Sequence, residues 1–269
     1  MPHEHHPVAG GWVLFETASA TVLVLAAVLY AAGLVRVRAA AHWPAWRSAL
    51  WFTGLALLGA GLVGPLARAA LTGFTEHMVV HLLVGMIGPL LLVLSAPVTL
   101  ALRALPTSAA RVLTRVLRSA PVRVVSHPVT AAVLNAGGLW LLYTTPLYQL
   151  MHGSTLIHAL VHAHVILAGL AFTAAIAGPD PNPHRAGLRL RAAVMVLFIA
   201  AHSVLGKWLY AHPPAGVDPA DARAGAQLMY YGGDIVDVAL LVLLFAGWYA
   251  GGGRTALLRP NAAPATARA

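Results

Sequence analysis

GSTLIHALVHAH, residues 153–164, opens an apolar stretch that continues to Ala177 and indicates the class of fold. The composition is that of a membrane-spanning helix, because about 20 apolar residues are needed to cross ~30 Å of hydrocarbon. The stretch also carries His158, His162 and His164. His158 and His162 are four residues apart, which places them on one face of a helix. Histidine inside a membrane segment is costly and usually binds or relays something, so these side chains are candidates for function.

The composition of the whole chain predicts an integral membrane protein. Of its 269 residues, 59% are hydrophobic and 9% are charged, whereas soluble domains carry about 25% charged residues. The chain has no cysteine, which excludes disulfides, thiolate metal sites and cysteine redox chemistry. The net charge of +9 comes mainly from arginines in loops, so we assign it to membrane topology and expect no nucleic-acid partner. The N-terminus has no basic region before the first apolar run, and we expect that run to remain as an anchor.

Seven apolar runs predict an all-α, polytopic membrane protein with seven transmembrane helices. They lie at residues 12–35, 48–66, 76–102, 128–147, 154–177, 189–210 and 226–250. The third run contains Pro89 and Pro97, and we expect it to be kinked. Residues 1–11 form a predicted extracytoplasmic, His-rich N-terminus that includes His3, His5 and His6. The seven-helix membrane domain covers 12–250, and residues 251–269 form a predicted disordered cytoplasmic tail.

Basic residues predict the orientation of these helices. Fourteen of the 17 Lys and Arg residues fall in the three loops 1–2, 3–4 and 5–6 or in the tail, and the exceptions are Arg68, Lys207 and Arg223. Because basic loops stay inside, the N-terminus is predicted outside and the C-terminus in the cytoplasm. Residues 107–124 are predicted to be either an amphipathic helix on the cytoplasmic membrane surface or a plain basic loop.

The same topology separates the ligand-type side chains. Eleven of the 14 histidines and seven of the eight acidic residues fall on the outer side or in the outer half of the membrane. Helices three, five, six and seven each present such a side chain at similar depth, and together they would form a cup open to the outside. The predicted metal ligands are His77, His81, His158, His162, His202 and Asp234. Three further residues are predicted to orient the imidazoles by hydrogen bonds without binding the metal themselves: Asp237, Glu16 and Gln227. His164 lies on the other face of its helix and is not assigned to the site.

Copper is the metal that this set of side chains favours. Imidazole and carboxylate suit divalent zinc or copper, and the thioethers of Met78, Met151 and Met229 near the same level favour cuprous copper. A zinc protease is disfavoured, because both His-x-x-x-His frames, at 77–81 and 158–162, lack the Glu that must follow the first histidine. No other hydrolytic motif is present, so we predict no enzymatic activity. A simple helix–helix hydrogen bond remains the alternative for each histidine.

Several motifs together resemble the CtaG family of bacterial cytochrome c oxidase assembly proteins, a seven-helix membrane family distinct from the Cox-type copper chaperone. They are EHMVVHLL at 76–83, GPLL at 88–91, APVT at 96–99, HP at 127–128, HALVH at 158–162 and GAQLMYYGGD at 225–234. The resemblance covers about residues 12–250. The last helix begins with DARA at 221–224 instead of an Asp-Gln-Gln-type start, which gives no basis for assigning Asp221 a role.

The resemblance implies a role in maturing a haem–copper oxidase by helping copper reach the catalytic subunit. The expected partners are the lipid bilayer, the oxidase subunit and other copper chaperones. Two alternatives stay open: a b-type haem electron-transfer protein with axial histidines from two helices, and a copper transporter. A transport path across the membrane is disfavoured, because helix seven on the cytoplasmic side of Asp237 and helix five on the cytoplasmic side of His164 are apolar.

Overall fold

Helices form all the regular structure that is described for this protein. A computed structural model describes residues 7–38 and 42–257. Within these ranges every regular element is helical and no strand occurs, which confirms the prediction of an all-α protein. The predicted N-terminal histidines His3, His5 and His6, and the tail from residue 258 onward, lie outside the described residues.

The helices vary widely in length, and several short ones follow each other almost without a break. In chain order the described residues form α1 (Pro7–Arg38), α2 (Ala45–Leu62), α3 (Pro65–Ala69), α4 (Phe74–His81), a π-helical segment (Leu82–Ile87), α5 (Gly88–Leu94), α6 (Pro97–Ala104), α7 (Thr107–Leu117), α8 (Ala120–Val125), α9 (Pro128–Thr144), α10 (Leu147–Gly153), α11 (Thr155–Ala177), α12 (Leu188–Ala211) and α13 (Pro219–Leu257).

Long apolar helices make this a multi-pass membrane protein. Among the described residues, five segments are long and apolar enough to cross a membrane: Gly10–Arg38, Phe74–Ala104, Thr155–Ala177, Leu188–Ala211 and Pro219–Ala250. The other two predicted spans correspond to α2, with 18 residues, and α9, with 17 residues. At 1.5 Å per residue these helices are about 27 and 26 Å long, slightly less than the hydrocarbon thickness of a typical bilayer.

Several predicted boundaries differ from the observed ones, most of all at α1 and α13, and one open alternative is resolved. Helix α1 already begins at Pro7, and α13 continues beyond residue 250 to Leu257. The basic segment 107–124 is helical, as α7 and α8. Neither of these two helices has a buried residue, and Val112 is 54% exposed. The exposed valines together with the arginines are typical of an amphipathic surface helix.

The third span departs from regular α-helix near both of its prolines, where a kink is predicted. The π-helical segment ends just before Pro89, and the Gly88 N–H donates to the carbonyl of Leu83, five residues back instead of the four of an α-helix. Proline has no N–H to continue an α-helical ladder, and a widened turn accommodates the loss. At Pro97 the chain turns through Ala96, which has a left-handed φ of 56°. The wide π turn begins directly after His81, so the irregular part of the helix lies next to a predicted ligand.

Glycines let three other helices pack closely around this π-helical segment. A Cβ at Gly61 of α2 would lie 2.6 Å from the Val84 side chain, and one at Gly232 of α13 would lie 2.6 Å from Leu82. A Cβ at Gly169 of α11 would overlap the backbone carbonyl of Gly85. Small residues at such crossings allow membrane helices to approach each other closely. These contacts fix the rotation of the third span, whose first part, α4, carries both predicted histidine ligands.

Two carboxylates from other parts of the chain cap two helix starts within the third span. Asp221 of α13 accepts hydrogen bonds from the backbone N–H groups of Phe74 and Thr75 at 2.7 and 3.1 Å, and from the Thr75 hydroxyl at 2.6 Å. Asp180, in the loop after α11, binds the start of α6 through Val98 N, Thr99 N and Thr99 Oγ1 in the same way. A carboxylate at a helix N-terminus satisfies free N–H groups and the helix dipole. Here the cap comes from a distant residue.

Candidate metal centre

Five of the six predicted metal ligands are histidines, and the structure buries all five between three helices. His77 and His81 come from α4, His158 and His162 from α11, and His202 from α12. Each is at most 6% exposed. The i,i+4 spacing within α4 and within α11 places both members of each pair on one helix face. The packing of the helices then turns these faces toward each other.

A small cavity separates three of these imidazoles. It has a volume of about 20 Å³ and is lined by His77, His81, His162 and Tyr143, with aliphatic side chains closing the remaining walls. A cavity of roughly 10–15 Å³ or more can hold one water molecule. The space between the imidazoles is therefore the size of a single water or ion.

His162 is oriented by its own helix. Its Nδ1 lies 3.0 Å from the carbonyl oxygen of His158, and a carbonyl can only accept, so Nδ1 carries the proton. The lone pair of the neutral ring is then on Nε2. The His158 and His162 rings stack with their centroids 4.1 Å apart. Histidines that bind metals usually have one ring N–H tied to such an acceptor, which fixes the tautomer.

His77 is oriented by Tyr143 of α9. The His77 Nε2 atom lies 3.0 Å from the Tyr143 hydroxyl, and this hydroxyl lies 3.8 Å from the sulfur of Met78. The arrangement that satisfies all three groups has His77 Nε2–H donating to Tyr143 and the Tyr143 hydroxyl donating to the thioether. The lone pair of His77 is then on Nδ1. Nothing in the sequence marked Tyr143, because it is one of several aromatic residues at the end of an apolar run.

His81 and His202 form a second contact between imidazoles. Their rings are nearly parallel, with centroids 6.2 Å apart. His81 Nε2 and both ring nitrogens of His202 are buried without a hydrogen-bond partner among the described residues. Buried nitrogens without a protein partner are costly, and a bound water or ion is one way to satisfy them. Gly233 makes room for His202, because a Cβ at this position would overlap the imidazole.

The acidic and amide residues predicted for the site are not gathered around the histidines. Asp234 accepts a hydrogen bond from Ser203 at 3.3 Å, next to His202 in sequence. Asp237 is 1% exposed, and neither of its oxygens has a partner among the described residues. Glu16 is directed to Arg68 at 2.9 Å and to the backbone N–H of Gly64 at 3.0 Å. Gln227 is exposed on α13. Of these four, Asp234 and Asp237 lie on the stretch of α13 that packs against His202.

The predicted cup is covered in this structure instead of being open to the outside. Tyr148 of α10 lies against His77 with a ring-centroid distance of 5.3 Å. Trp12 and Phe15 of α1 pack against His158 at 5.1 and 5.0 Å. Burial raises the pKa of Tyr148 to about 12, so this covering phenol is neutral at physiological pH. Aromatic side chains from α1 and α10, none of them in the predicted ligand set, therefore exclude water.

Two further predictions concern residues close to the site. His164 is predicted to point away from the histidine site. Its Nε2 lies 3.0 Å from the carbonyl oxygen of Leu134 on α9, which confirms the prediction. The thioethers of Met78, Met151 and Met229 are fully buried in one apolar cluster with Phe74 and Tyr143. Only Met78 is linked to a histidine among the described residues, through the Tyr143 hydroxyl.

The fit of these residues to a metal ion is partial. Within residues 7–38 and 42–257, no three His or acidic side chains lie close enough together to hold one ion. The donor chemistry does fit: three buried imidazoles line an ion-sized cavity, hydrogen bonds orient two of them, His77 and His162, and His81 Nε2 has no partner among the described residues. This arrangement suits an ion held by few ligands rather than a closed four-ligand site.

Comparison with known proteins identifies the family of the chain. A family model described as "cytochrome c oxidase caa3 assembly factor" matches residues 28–251. The chain belongs to this family. The match confirms the resemblance found in the sequence, and it covers α2 to α12 completely together with parts of α1 and α13.

Similar proteins from mycobacteria carry no described function. An uncharacterized protein of Mycobacterium leprae (strain TN) is 30% identical over 265 residues, which are 88% of this chain and 39% of that protein. An uncharacterized protein of Mycobacterium bovis is 32% identical over 200 residues, 71% of this chain and 30% of that protein. The chain thus spans less than half the length of these relatives. No solved structure matches it significantly.

Proposed function

We propose that this member of the caa3 oxidase assembly family holds copper between its buried histidines and delivers it to a haem–copper cytochrome c oxidase. Copper is cargo in this proposal, and the chain catalyses no reaction of its own. The observation that carries the proposal is the ion-sized cavity between His77, His81 and His162. The family description names a cytochrome c oxidase as the protein that is assembled. A haem–copper oxidase contains copper, so its assembly requires that copper be delivered.

The residues around the cavity would hold the ion through nitrogen atoms. His162 would use Nε2, because its Nδ1 donates to the His158 carbonyl. His77 would use Nδ1, because its Nε2 is bound to Tyr143. His81 offers a buried Nε2 without a partner among the described residues. Neutral imidazoles bind copper without first losing a proton, and a shell of few ligands favours release to a partner.

We further propose seven membrane spans in a bacterial plasma membrane, with the N-terminus outside. Helices α2 and α9 would be the two short spans. Helix α2 packs between α1 and the third span, which it contacts at α5. Helix α9 packs between α11 and α12. Slightly short spans are accommodated by local thinning of the bilayer at modest cost. The arginine-rich loops support the orientation, since they all fall on the cytoplasmic side in this arrangement.

The small cavity between these histidines favours an ion over a b-type haem. Sites for ligands of that size have volumes of roughly 300–1,000 Å³, whereas the cavity between His77, His81 and His162 has about 20 Å³. The described residues also offer no open transport path. An apolar cluster that includes Phe172, Phe198 and Leu240 fills the bundle beyond the histidines, with the two phenylalanine rings stacked at 4.1 Å.

Metal analysis of the purified protein tests the proposal. We expect about one copper per chain after expression with copper, and we expect the double variant His158→Ala/His162→Ala to lose most of it while it still inserts into the membrane. The matched control is His164→Ala, on the same helix but bonded to α9. Cells that carry the double variant should also lose oxidase activity.

Two results would contradict the proposal. The first is wild-type protein that contains no copper and binds none when titrated with cuprous ion. The second is a copper content that is the same in the double variant and the wild type. A strong Soret band with about one haem per chain would support the electron-transfer alternative instead.

A further inference from the structure

A wide apolar groove runs along the half of the bundle that carries the histidines. It has a volume of about 670 Å³ and lies between α1, α2 and α11. Its walls are mostly apolar, with the small residues Ala18, Ala159 and Ala163 placed among larger aliphatic side chains, and with the hydroxyls of Ser19 and Thr155 at the wall. We expect the groove to face the lipid, because α1 packs loosely against the bundle and exposes most of its large apolar side chains.

One buried imidazole connects this groove to the histidine cavity. His162 lines both the groove and the cavity of about 20 Å³ that it shares with His77 and His81. Its side chain is 6% exposed. Its Nδ1 is bound to the His158 carbonyl, and Nε2 has no hydrogen-bond partner among the described residues. An aliphatic groove within the membrane thus has, at its inner wall, a single nitrogen donor with a free lone pair.

The other histidines lead toward His162. His202 stacks on His81 at 6.2 Å, His81 lines the cavity together with His162, and His162 stacks on His158 at 4.1 Å. This row of imidazoles crosses the bundle from α12 to the groove. Trp12 and Phe15 of α1 cover His158 and narrow the route to the outer surface. The row of imidazoles therefore reaches the edge of the helix bundle at the groove, through His162.

We propose that the groove is the docking site for a transmembrane helix of the oxidase subunit that receives copper, and that the ion leaves through His162. This inference rests on the proposed copper function. A helix suits the groove better than a lipid chain, because small residues on the facing helices are what close helix packing requires. Ala159 and Ala163 on α11, and Ala18 on α1, supply such positions on both walls.

The transfer itself is an exchange of ligands. The bond between copper and His162 Nε2 breaks as a neutral donor on the docked helix forms a new bond to the ion. The oxidation state of copper is unchanged, and no proton moves because the imidazole is neutral before and after the step. Besides His162, the polar side chains along the groove are the hydroxyls of Ser19 and Thr155, so little polar surface has to be desolvated when a helix docks.

Site-specific photo-crosslinking in membranes tests the docking site. The chain is co-expressed with the catalytic subunit of a caa3-type oxidase, and a photoreactive phenylalanine replaces either Ala18 or Ala32. Both alanines are exposed on α1, and they lie on a similar face about 21 Å apart along the helix. Of the two, Ala18 lines the groove and Ala32 does not. Mass spectrometry then identifies the partner peptide.

We expect a crosslink from position 18 to a transmembrane segment of the oxidase subunit, at least tenfold stronger than from position 32. Filling the groove with Ala18→Leu should lower oxidase assembly at least tenfold without changing copper per chain, and Ala32→Leu should change neither. Equal crosslinks from both positions, crosslinks only to lipid, or crosslinks only to a second copy of this chain would overturn the inference.

The two proposals fail in different ways in this experiment. If wild-type protein holds copper but position 18 gives no crosslink to the oxidase, the docking site is wrong and copper binding stands. If wild-type protein holds no copper but the crosslink from position 18 is specific, the docking surface stands and the transfer through His162 is wrong.

Discussion

Replacing Asp221 should destabilise the protein more than loss of an ordinary helix cap does. Loss of a capping Asp typically costs about 0.5–2 kcal/mol. The Asp221 carboxylate accepts three hydrogen bonds, two from backbone N–H groups of α4 and one from the Thr75 hydroxyl. Hydrogen bonds to a charged group contribute about 1.5–3 kcal/mol each, but they are not additive at a partly exposed site. We therefore expect Asp221→Ala to lower the free energy of unfolding by about 3 kcal/mol.

Thermal unfolding in detergent measures this effect. For a chain of this size, 1 kcal/mol corresponds to a change in Tm of about 2–4 °C, so Asp221→Ala should lower Tm by roughly 6–12 °C. Asp221→Asn keeps one acceptor oxygen but not the charge, and it should lose less than half as much. Because α4 carries His77 and His81, copper affinity should fall in the same order.

Asp218 provides the matched comparison. Its carboxylate accepts from the N–H groups of Ala220 and Asp221 at 2.9 and 3.1 Å, so it caps its own helix, α13. Asp218→Ala should cost about 1 kcal/mol, as for an ordinary cap. If Asp221→Ala lowers Tm no more than Asp218→Ala does, the contact between α13 and α4 does not stabilise the fold as argued.

Three further substitutions test other contacts. Asp180→Ala removes the equivalent cap of α6 and should lower Tm by a similar amount, roughly 6–12 °C; a change below about 2 °C would refute the parallel. Tyr143→Phe removes the hydroxyl that orients His77 and should weaken copper binding about 10–100-fold in a chelator competition, with unchanged affinity as the contrary result. Gly169→Ala places a Cβ on the Gly85 carbonyl and should prevent stable folding. Gly137→Ala is the control: its Cβ has room, so the substitution should leave Tm unchanged or raise it slightly.

The histidine pairs were predictable because they depend only on spacing within a helix. His158 and His162 share a face in any α-helix, and His164 cannot join them. Tyr143 was not predictable, because its contact with His77 spans 66 positions of sequence. Such a contact depends on how far α9 and α4 are each rotated about their axes. Glu16 shows the same limit: its position near the outer end of α1 suggested the histidine site, but its carboxylate pairs with Arg68 on α3.

The membrane class, the helical content and the irregularity of the third span near its prolines all follow from the amino-acid sequence alone. Apolar length and the missing proline N–H act within a single segment, so no knowledge of the fold is needed to interpret them. The packed structure was needed to show that Asp221 caps a helix 147 positions away, that the ligand cup is covered, and that His162 faces a groove. Those features depend on the register and rotation of packed helices, which the glycine contacts around the π-helical segment set.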